Sequence, residues 1–276
     1  MNPQSDRGKI GVCVITCNRV DFFGQCIKSM EHIEADYLIV VNDGEPYPDD
    51  VYPEWVDKVI QHPKNFNVAK SKNDGLRDMM ANECVHMFLV EDDITVEDPS
   101  VTNKYITAAA ASGIWHLNYG GHGDGNRDGD GNIEVRERVD YDGASIDLYR
   151  NVLGAFSYYL ASVVKLTGLM DERFVNAMEH VEHTYNIIKQ ELHPPFWWFA
   201  DCADSDKMIS DIGQNHEGST IRRNQQQWEH NLKNAYGLFM HKHKTLPTTI
   251  TDKSEEDVIE DINNLEKLYT KPEWIH

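Results

Sequence analysis

Glu91, Asp92 and Asp93 stand together directly after an apolar run (VHMFLV), and that placement is the strongest chemical signal in the chain. Consecutive acids past a buried segment repel one another unless a cation or hydrogen-bond donors offset the charge. A divalent, oxygen-preferring ion such as Mn2+ or Mg2+ does so, and commonly shares its shell with substrate phosphates. The competing reading is a solvated acidic turn. Thr16 stands near the end of a similar run (GVCVITC) and Arg19 just after it, and Asp43 comes just after a third (YLIVV). Glu179, His180 and Glu182 gather in MEHVEH. That group supplies either a general base or acids favoured at a helix start by the dipole. His241 and His243 in HKHK offer imidazole ligands for a metal, or a basic patch closing a helix or strand.

Two further segments carry double readings. Residues 126–137 (NRDGDGNIEVRE) have the spacing of a calcium loop, but Asn126 stands in the first ligand position. An Asp-Gly hairpin turn accounts for the same residues and is the reading adopted. Phe196, Trp197, Trp198 and Phe199 follow a Pro-Pro pair and read as core packing or as an aromatic platform for a sugar ring.

The elements that must position these residues are legible from periodicity. Residues 11–17, 37–41, 58–61 and 85–90 read as strands, mostly short apolar runs rich in β-branched residues. Phe22, Phe23, Cys26, Ile27, Met30 and Ile33 recur at helical spacing, residues 69–80 predict a second helix, and Asp98-Pro99 reads as the start of a third. Alternating strands and helices predict a Rossmann-like, mostly parallel sheet flanked by helices. Ligands in such sheets sit at the carboxyl ends of the strands, where Thr16, Arg19, Asp43 and the acid cluster fall. Beyond residue 113, a Gly/Asp-rich stretch and alternating Ile133, Val135, Val139 and Tyr141 predict a hairpin or edge strand. Residues 152–164 read as another buried strand, 179–192 as a helix, and 254–269 as an acidic amphipathic helix docked on the body.

With 276 residues, 40% of them hydrophobic, the chain can bury a substantial core. No run approaches the roughly 18 apolar residues of a membrane span, and the polar first residues do not read as a signal peptide. The five cysteines form no Cys-x-x-Cys pair and there is no Asn-x-Ser/Thr sequon, so a cytoplasmic location is expected. A formal net charge of −20 argues against a general polyanion-binding surface. Any phosphate-bearing ligand must be held locally, by a metal or a few placed cations.

The ordered segments IGVCVITCNR, YLIVVNDGE, NFNVAKSKNDGL, FLVEDD, GAFSYYL and LTGLMDERFVNAMEHVEH resemble family 2 glycosyltransferases of the GT-A fold. The likeness runs from about Lys9 to about His183. It implies a nucleotide-sugar-binding and catalytic core over residues 8–185 and a C-terminal acceptor-side segment with a docking helix over 186–276. It further implies that Thr16 and Asp43 touch the nucleoside and that Lys72 and Asn73 lie along the nucleotide. Arg19 and Asp92 join the donor-binding set, Glu91 faces the ribose, and Asp93 binds the Mn2+ or Mg2+ that bridges the diphosphate. His241 or His243 would complete the metal shell. The chain departs from the pattern at Lys72 (usually Arg), at Glu91 (usually Asp) and at His180, which occupies the slot of the catalytic Asp; Glu179, His180 and Glu182 all remain candidates for the base.

The implied activity is metal-dependent, inverting transfer from a nucleotide-diphosphate sugar, a UDP-sugar, to a saccharide hydroxyl. A second candidate acceptor is hydroxymethylated DNA, as in bacteriophage glycosyltransferases, with Arg136, Arg138, Arg150, Arg222, Arg223, Lys242 and Lys244 as a phosphate track. A non-catalytic nucleotide-sugar-binding protein and a nucleotidyltransferase are the competing functional classes; ITCNRVD lacks the Gly-rich basic loop that usually opens a nucleotidyltransferase.

Overall fold

The computed structural model describes residues 8–213, 219 and 221–270. The chain opens with strand β1 (Lys9–Thr16), helix α1 (Val20–Ser29), strands β2 (Tyr37–Asn42) and β3 (Lys58–Gln61), helix α2 (Val68–Ala81) and strand β4 (Cys84–Glu91). Strands β1, β2 and β4 are buried almost throughout, which is why they appear in sequence as continuous apolar runs. Helix α1 turns Phe23, Cys26 and Ile27 inward, whereas α2 buries Ser71, Lys72 and Asn73 beside Ala69, Leu76 and Met79. That polar inner face already marks α2 as more than a covering helix.

Strand β5 (Ile94–Val96), helix α3 (Val101–Ser112), strand β6 (His116–Asn118), strands β7 (Glu137–Tyr141) and β8 (Ala144–Tyr149), and strand β9 (Phe156–Leu160) follow. The main sheet has the order β3-β2-β1-β4-β9-β6. Its first four strands run parallel, and β9 lies antiparallel to both β4 and β6. The chain then forms α4 (Ala161–Thr167), α5 (Glu179–Lys189), β10 (Phe199–Cys202), β11 (Ile209–Asp211), α6 (Gln225–His243) and α7 (Glu255–Tyr269). Strand β10 pairs with β8 and β11 with β5, so sheet pairing crosses residue 185 in two places.

Several sequence expectations shift. Residues 152–164 are not one strand: β9 ends at Leu160 and α4 begins at once, because an apolar run alone does not separate a buried strand from a buried helix. Helix α3 starts at Val101, and Asp98 caps the turn before it, accepting from Ser100 N at 2.9 Å and Ser100 Oγ at 2.7 Å. The HKHK segment closes α6, whose Ala235 and Phe239 pack against Phe174, Ala177 and Met178.

Behind the main sheet's antiparallel edge, His116, His183 and His193 are buried together with Tyr159. His116 Nδ1 donates to Tyr158 O at 2.9 Å, and its Nε2 lies 2.9 Å from Thr184 Oγ1. Burial depresses the pKa of all three rings, that of His193 from the ordinary 6.5 to about 4. A histidine buried in its neutral form contributes stability that is complete above its unfolded pKa and is lost as pH falls toward its folded pKa. We therefore expect the stability gap between wild type and His193→Gln to narrow on acidification from about pH 6.5 to about pH 4. Urea unfolding across that window should show a narrowing of up to about 3 kcal/mol; a gap independent of pH would contradict it.

Candidate active site at the carboxyl ends of the parallel strands

The ends of β1 and β4, the loop after β6 and the start of α5 converge on a cavity of about 180 Å³ lined by Arg19, Glu91, Asp93, His122, Glu179, His180 and Asp211, among others. Here sequence-distant acids meet. Arg19 offsets two of them, donating to Asp93 Oδ2 at 2.9 Å and to Asp92 Oδ1. Asp92 points inward: it is buried, its other oxygen accepts from Thr16 Oγ1 at 2.6 Å, and burial pushes its pKa up to about 7. Asp93 faces the cavity, and its buried Oδ1 has no hydrogen-bond partner among the described residues. Gly213 admits that geometry, since a Cβ there would stand 2.7 Å from Asp93 Cβ and 2.8 Å from Oδ2.

Lys72 is the second internal cation. Its ammonium lies 2.7 Å from Glu91 Oε1, 3.3 Å from Glu179 Oε1 and 3.0 Å from Gly154 O, and its side chain is 1% exposed. Burial opposes its charge, but Glu91 and Glu179 outweigh that and raise its pKa. Burial likewise works against Glu179 ionising, and Lys72 with His180 overrides it, holding that carboxyl below the usual range. Glu179 Oε1 also lies 3.1 Å from His180 Nδ1, so the imidazole is oriented by a carboxylate while its ring lines the cavity.

A second cavity of about 160 Å³ adjoins the first, sharing Val68, Asn176 and Ile221 with it. Asp43 lines it at the end of β2, together with Cys17, Asn18, Asn65, Ser71 and Arg223. The carboxylate of Asp43 shapes this wall: it accepts from Phe66 N at 2.7 Å and Asn67 N at 2.8 Å, and lies 2.6 Å from His62 Nδ1.

Other candidates lie elsewhere. Thr16 is buried between Asp92 and Tyr47 and lines neither cavity. Asn73 does not face them either; it ties α2 to the chain before α5, exchanging bonds of 2.8 and 2.9 Å with Met170. Glu182 lies on the buried side of α5, where Lys242 at 2.7 Å, His243 at 2.9 Å and Asn186 at 2.8 Å hold it. The expected pairing of His241 or His243 with Asp93 does not form. Helix α6 brings Trp228 of its first turn to the cavity, but its last turns pack on α5, so His243 meets Glu182, Tyr185 and Phe239, and His241 is exposed.

The indole N–H groups of Trp197 and Trp198 donate to Ile250 O and Asp252, and the guanidinium of Arg136 lies 3.6 Å from the Trp198 ring centroid. The pair therefore fastens the C-terminal segment instead of presenting an open platform. Within residues 126–137, Asn126 bonds Gly120 O, Asn151 O and Asn151 N, and the Arg127 side chain bonds the carbonyls of Gly121, Gly123 and Gly131. Asp128 Oδ1, at the third position of the segment, accepts from Asp130 N and Asn132 N at 2.9 Å, as in a turn. The expected cation track is also dispersed: Arg136 and Arg150 pair with Asp252, Arg138 with Asp147 and Asp204, and Lys242 with Asp171 and Glu182.

Sequence reasoning missed His122, Asp211 and Asn176. His122 Nδ1 lies 3.1 Å from Asp211 Oδ2, and Asp211 is anchored by Gly123 N at 2.7 Å and Gly213 N at 2.8 Å. Burial opposes charge on His122, but Asp211, Asp93 and Glu91 outweigh it and raise its pKa. A histidine between glycines (GGHGDG) was the available signal; nothing in the sequence linked it to Asp211. Asn176, with φ of 50°, joins the two cavities by accepting from Val68 N at 3.1 Å.

No protein-family model matches the sequence, and no curated protein matches it. Solved structures do match. A mannosyltransferase from Pyrobaculum calidifontis, in complex with GDP-Man and Mn2+, aligns at TM-score 0.55 and 10% identity over 96% of this chain and 70% of that one. S. aureus TarS 1–349 in complex with UDP-GlcNAc aligns at TM-score 0.52 and 14% identity, covering 97% and 82% respectively. Against a longer TarS structure the chain spans 33% of that protein's length. The likeness identifies the fold as GT-A type: a Rossmann-like, mostly parallel sheet flanked by helices.

The bonding of Asp43 has a direct consequence. Asp43→Ala leaves the amide of Phe66 and Nδ1 of the His62 ring without their acceptor, and leaves Asn67 N only the longer bond to Asn65 Oδ1 at 3.2 Å. We expect a loss of about 2–4 kcal/mol in unfolding free energy, on the scale of one to three for each stranded buried donor; a loss below about 0.5 kcal/mol, the size of an ordinary surface substitution, would show that the wall does not depend on it.

Proposed function

We propose that the protein is a metal-dependent glycosyltransferase that moves a sugar from a nucleotide-diphosphate sugar to an acceptor hydroxyl with inversion. The observation that carries this reading is the meeting of Asp93, Glu179 and His180 in one cavity that adjoins the Asp43 cavity at the strand ends of a GT-A fold. The nucleoside is assigned to the Asp43 cavity and the diphosphate and sugar to the neighbouring one, beside Arg19 and Glu91. A UDP-sugar is the favoured donor.

Among the described residues no three His, Cys, Asp or Glu side chains are grouped to hold a metal ion. The orphaned Asp93 Oδ1 nevertheless suits Mn2+ or Mg2+, ions that accept one or two carboxylates and complete their shell with phosphate oxygens and water. Such an ion stabilises the charge that grows on the departing nucleotide.

His180 is assigned as the base. Its Nδ1 is engaged by Glu179, which leaves Nε2 to take the acceptor proton. The acceptor oxygen then bonds to the anomeric carbon, the bond from that carbon to the diphosphate breaks, and the nucleotide leaves with the electron pair. Glu179 is a poorer acceptor, since its charge is committed to Lys72. A saccharide acceptor is favoured over modified DNA because Arg136, Arg138, Arg150 and Lys242 are committed to internal partners, while Arg222 and Arg223 line the two cavities and do not continue a track along the surface. The segment 186–276 is assigned to the acceptor side.

A donor-hydrolysis screen across nucleotide sugars with Mn2+, followed by transfer trials on saccharides and hydroxymethylated DNA, tests the reading. Asp93→Asn should abolish metal-dependent turnover while preserving the unfolding transition; unchanged Mn2+ dependence would remove Asp93 from the metal.

His180→Asn should lower transfer by roughly two to four orders of magnitude while donor is still bound. A loss of less than about tenfold in His180→Asn would remove the base role from His180.

A further inference from the structure

We propose that Lys72 is a positioning residue that acts through Glu179 on His180, and that it does not bind the nucleotide. The inference rests on the glycosyltransferase reading above and assigns Lys72 a role different from the one the family resemblance implies for it.

Lys72 projects from the inner face of α2, where a lysine is costly: an isolated ammonium removed from water loses several kcal/mol of hydration unless it is paired and fully hydrogen-bonded. Its three partners come from three elements. Glu91 ends β4 at 2.7 Å, Glu179 begins α5 at 3.3 Å, and Gly154 precedes β9 and accepts at 3.0 Å. Those contacts match the three donors of an ammonium, so none is left for a phosphate. With 1% of the side chain exposed, it also offers no face to a ligand.

The start of α5 needs such a tie. Met178 precedes it in the left-handed conformation with φ of 64°, and no side-chain cap holds the first turn. The segment is held by polar contacts with α2 instead: Asn73 on Met170, Asn176 on Val68 N, and Lys72 on Glu179. Of these, the Lys72 contact is the one that reaches the residue engaging His180. Gly154 packs the same group from the other side. A Cβ there would stand 2.8 Å from His180 Cγ and 3.0 Å from Lys72 Nζ, so the ammonium, the glycine and the imidazole form one tight stack. Removing the cation leaves Glu91 and Glu179 facing each other with only the neighbouring imidazoles of His122 and His180 to offset them. Glu179 must then take up a proton or swing out, and in either case His180 loses its orienting carboxylate.

The test is a set of variants in the full chain: Lys72→Met, Lys72→Arg, Glu179→Gln, His180→Asn and the Lys72→Met/His180→Asn double variant. Turnover is measured at saturating donor, and donor affinity by calorimetry with the nucleotide sugar that wild type hydrolyses. Lys72→Met is expected to lower kcat about tenfold to a hundredfold with donor affinity within about threefold, the split expected of an interaction outside ground-state binding. Lys72→Arg, which keeps the charge, should recover most of the loss. The double variant should be no slower than His180→Asn alone, because residues acting through one another are not additive. If Lys72→Met does not fold, Glu179→Gln and Lys72→Arg decide: the former should reproduce the kcat loss with donor still bound. A tenfold loss of donor affinity at unchanged kcat, or additive effects in the double variant, would overturn the assignment while leaving the glycosyltransferase reading in place. A folded wild type that turns over no nucleotide sugar would instead defeat that reading, and this inference with it.

Discussion

Glu91, Asp92, Asp93 and Glu179 are gathered within one end of the sheet, and the surrounding structure is organised by the need to offset their charge with very few cations. Arg19 serves Asp92 and Asp93, and Lys72 serves Glu91 and Glu179. Stripping one partner from a buried ion pair typically costs about 3–5 kcal/mol, a large part of the stability of an ordinary domain. Each cation therefore fixes the position of the elements that carry its acids: Arg19 binds the loop after β1 to the end of β4, and Lys72 binds α2 to β4 and to α5.

The same arrangement reconciles an acidic protein with the phosphate-bearing ligand proposed for it. The formal charge of −20 repels polyanions at long range, but the cavity itself is electrostatically mixed. Asp93 keeps one oxygen unpartnered among the described residues, His122 is biased toward its charged form by the acids around it, and Arg222 lines the same cavity. Such a site concentrates opposite charges within a small volume and favours a ligand that brings its own cation.

Glycines supply the remaining constraint. Gly154 and Gly213 occur where a side chain would collide with His180 or Asp93, so two loops approach the reacting region along their backbones. This close approach places residues from β4, β11 and α5 around one cavity. Separately, Trp197 and Trp198, together with Arg136 and Arg150 on either side of the β7-β8 hairpin, fasten the chain at Ile250 and Asp252.

The parallel half of the fold was legible in the sequence because each of its main strands is buried on both faces and each helix keeps an apolar stripe, so periodicity alone separates them. Strand-end position likewise marked Arg19, Asp43, Glu91 and Asp93 as cavity residues, since chain direction in a parallel sheet determines which ends share an edge. What periodicity cannot encode is which way a polar side chain turns once it is there. Thr16 and Asp92 lie at the expected places yet point into the protein, because burying the acid cluster requires hydrogen-bond partners from behind, and Asn73 turns inward to bond the main chain of Met170. Pairing across long sequence separations was equally invisible: His122 with Asp211, and Lys72 with Glu179, depend on loops that only the packed sheet brings together. The placement of α6 decided the rest, for its apolar face packs on α5 and its last turn carries His243 to Glu182 and not to Asp93.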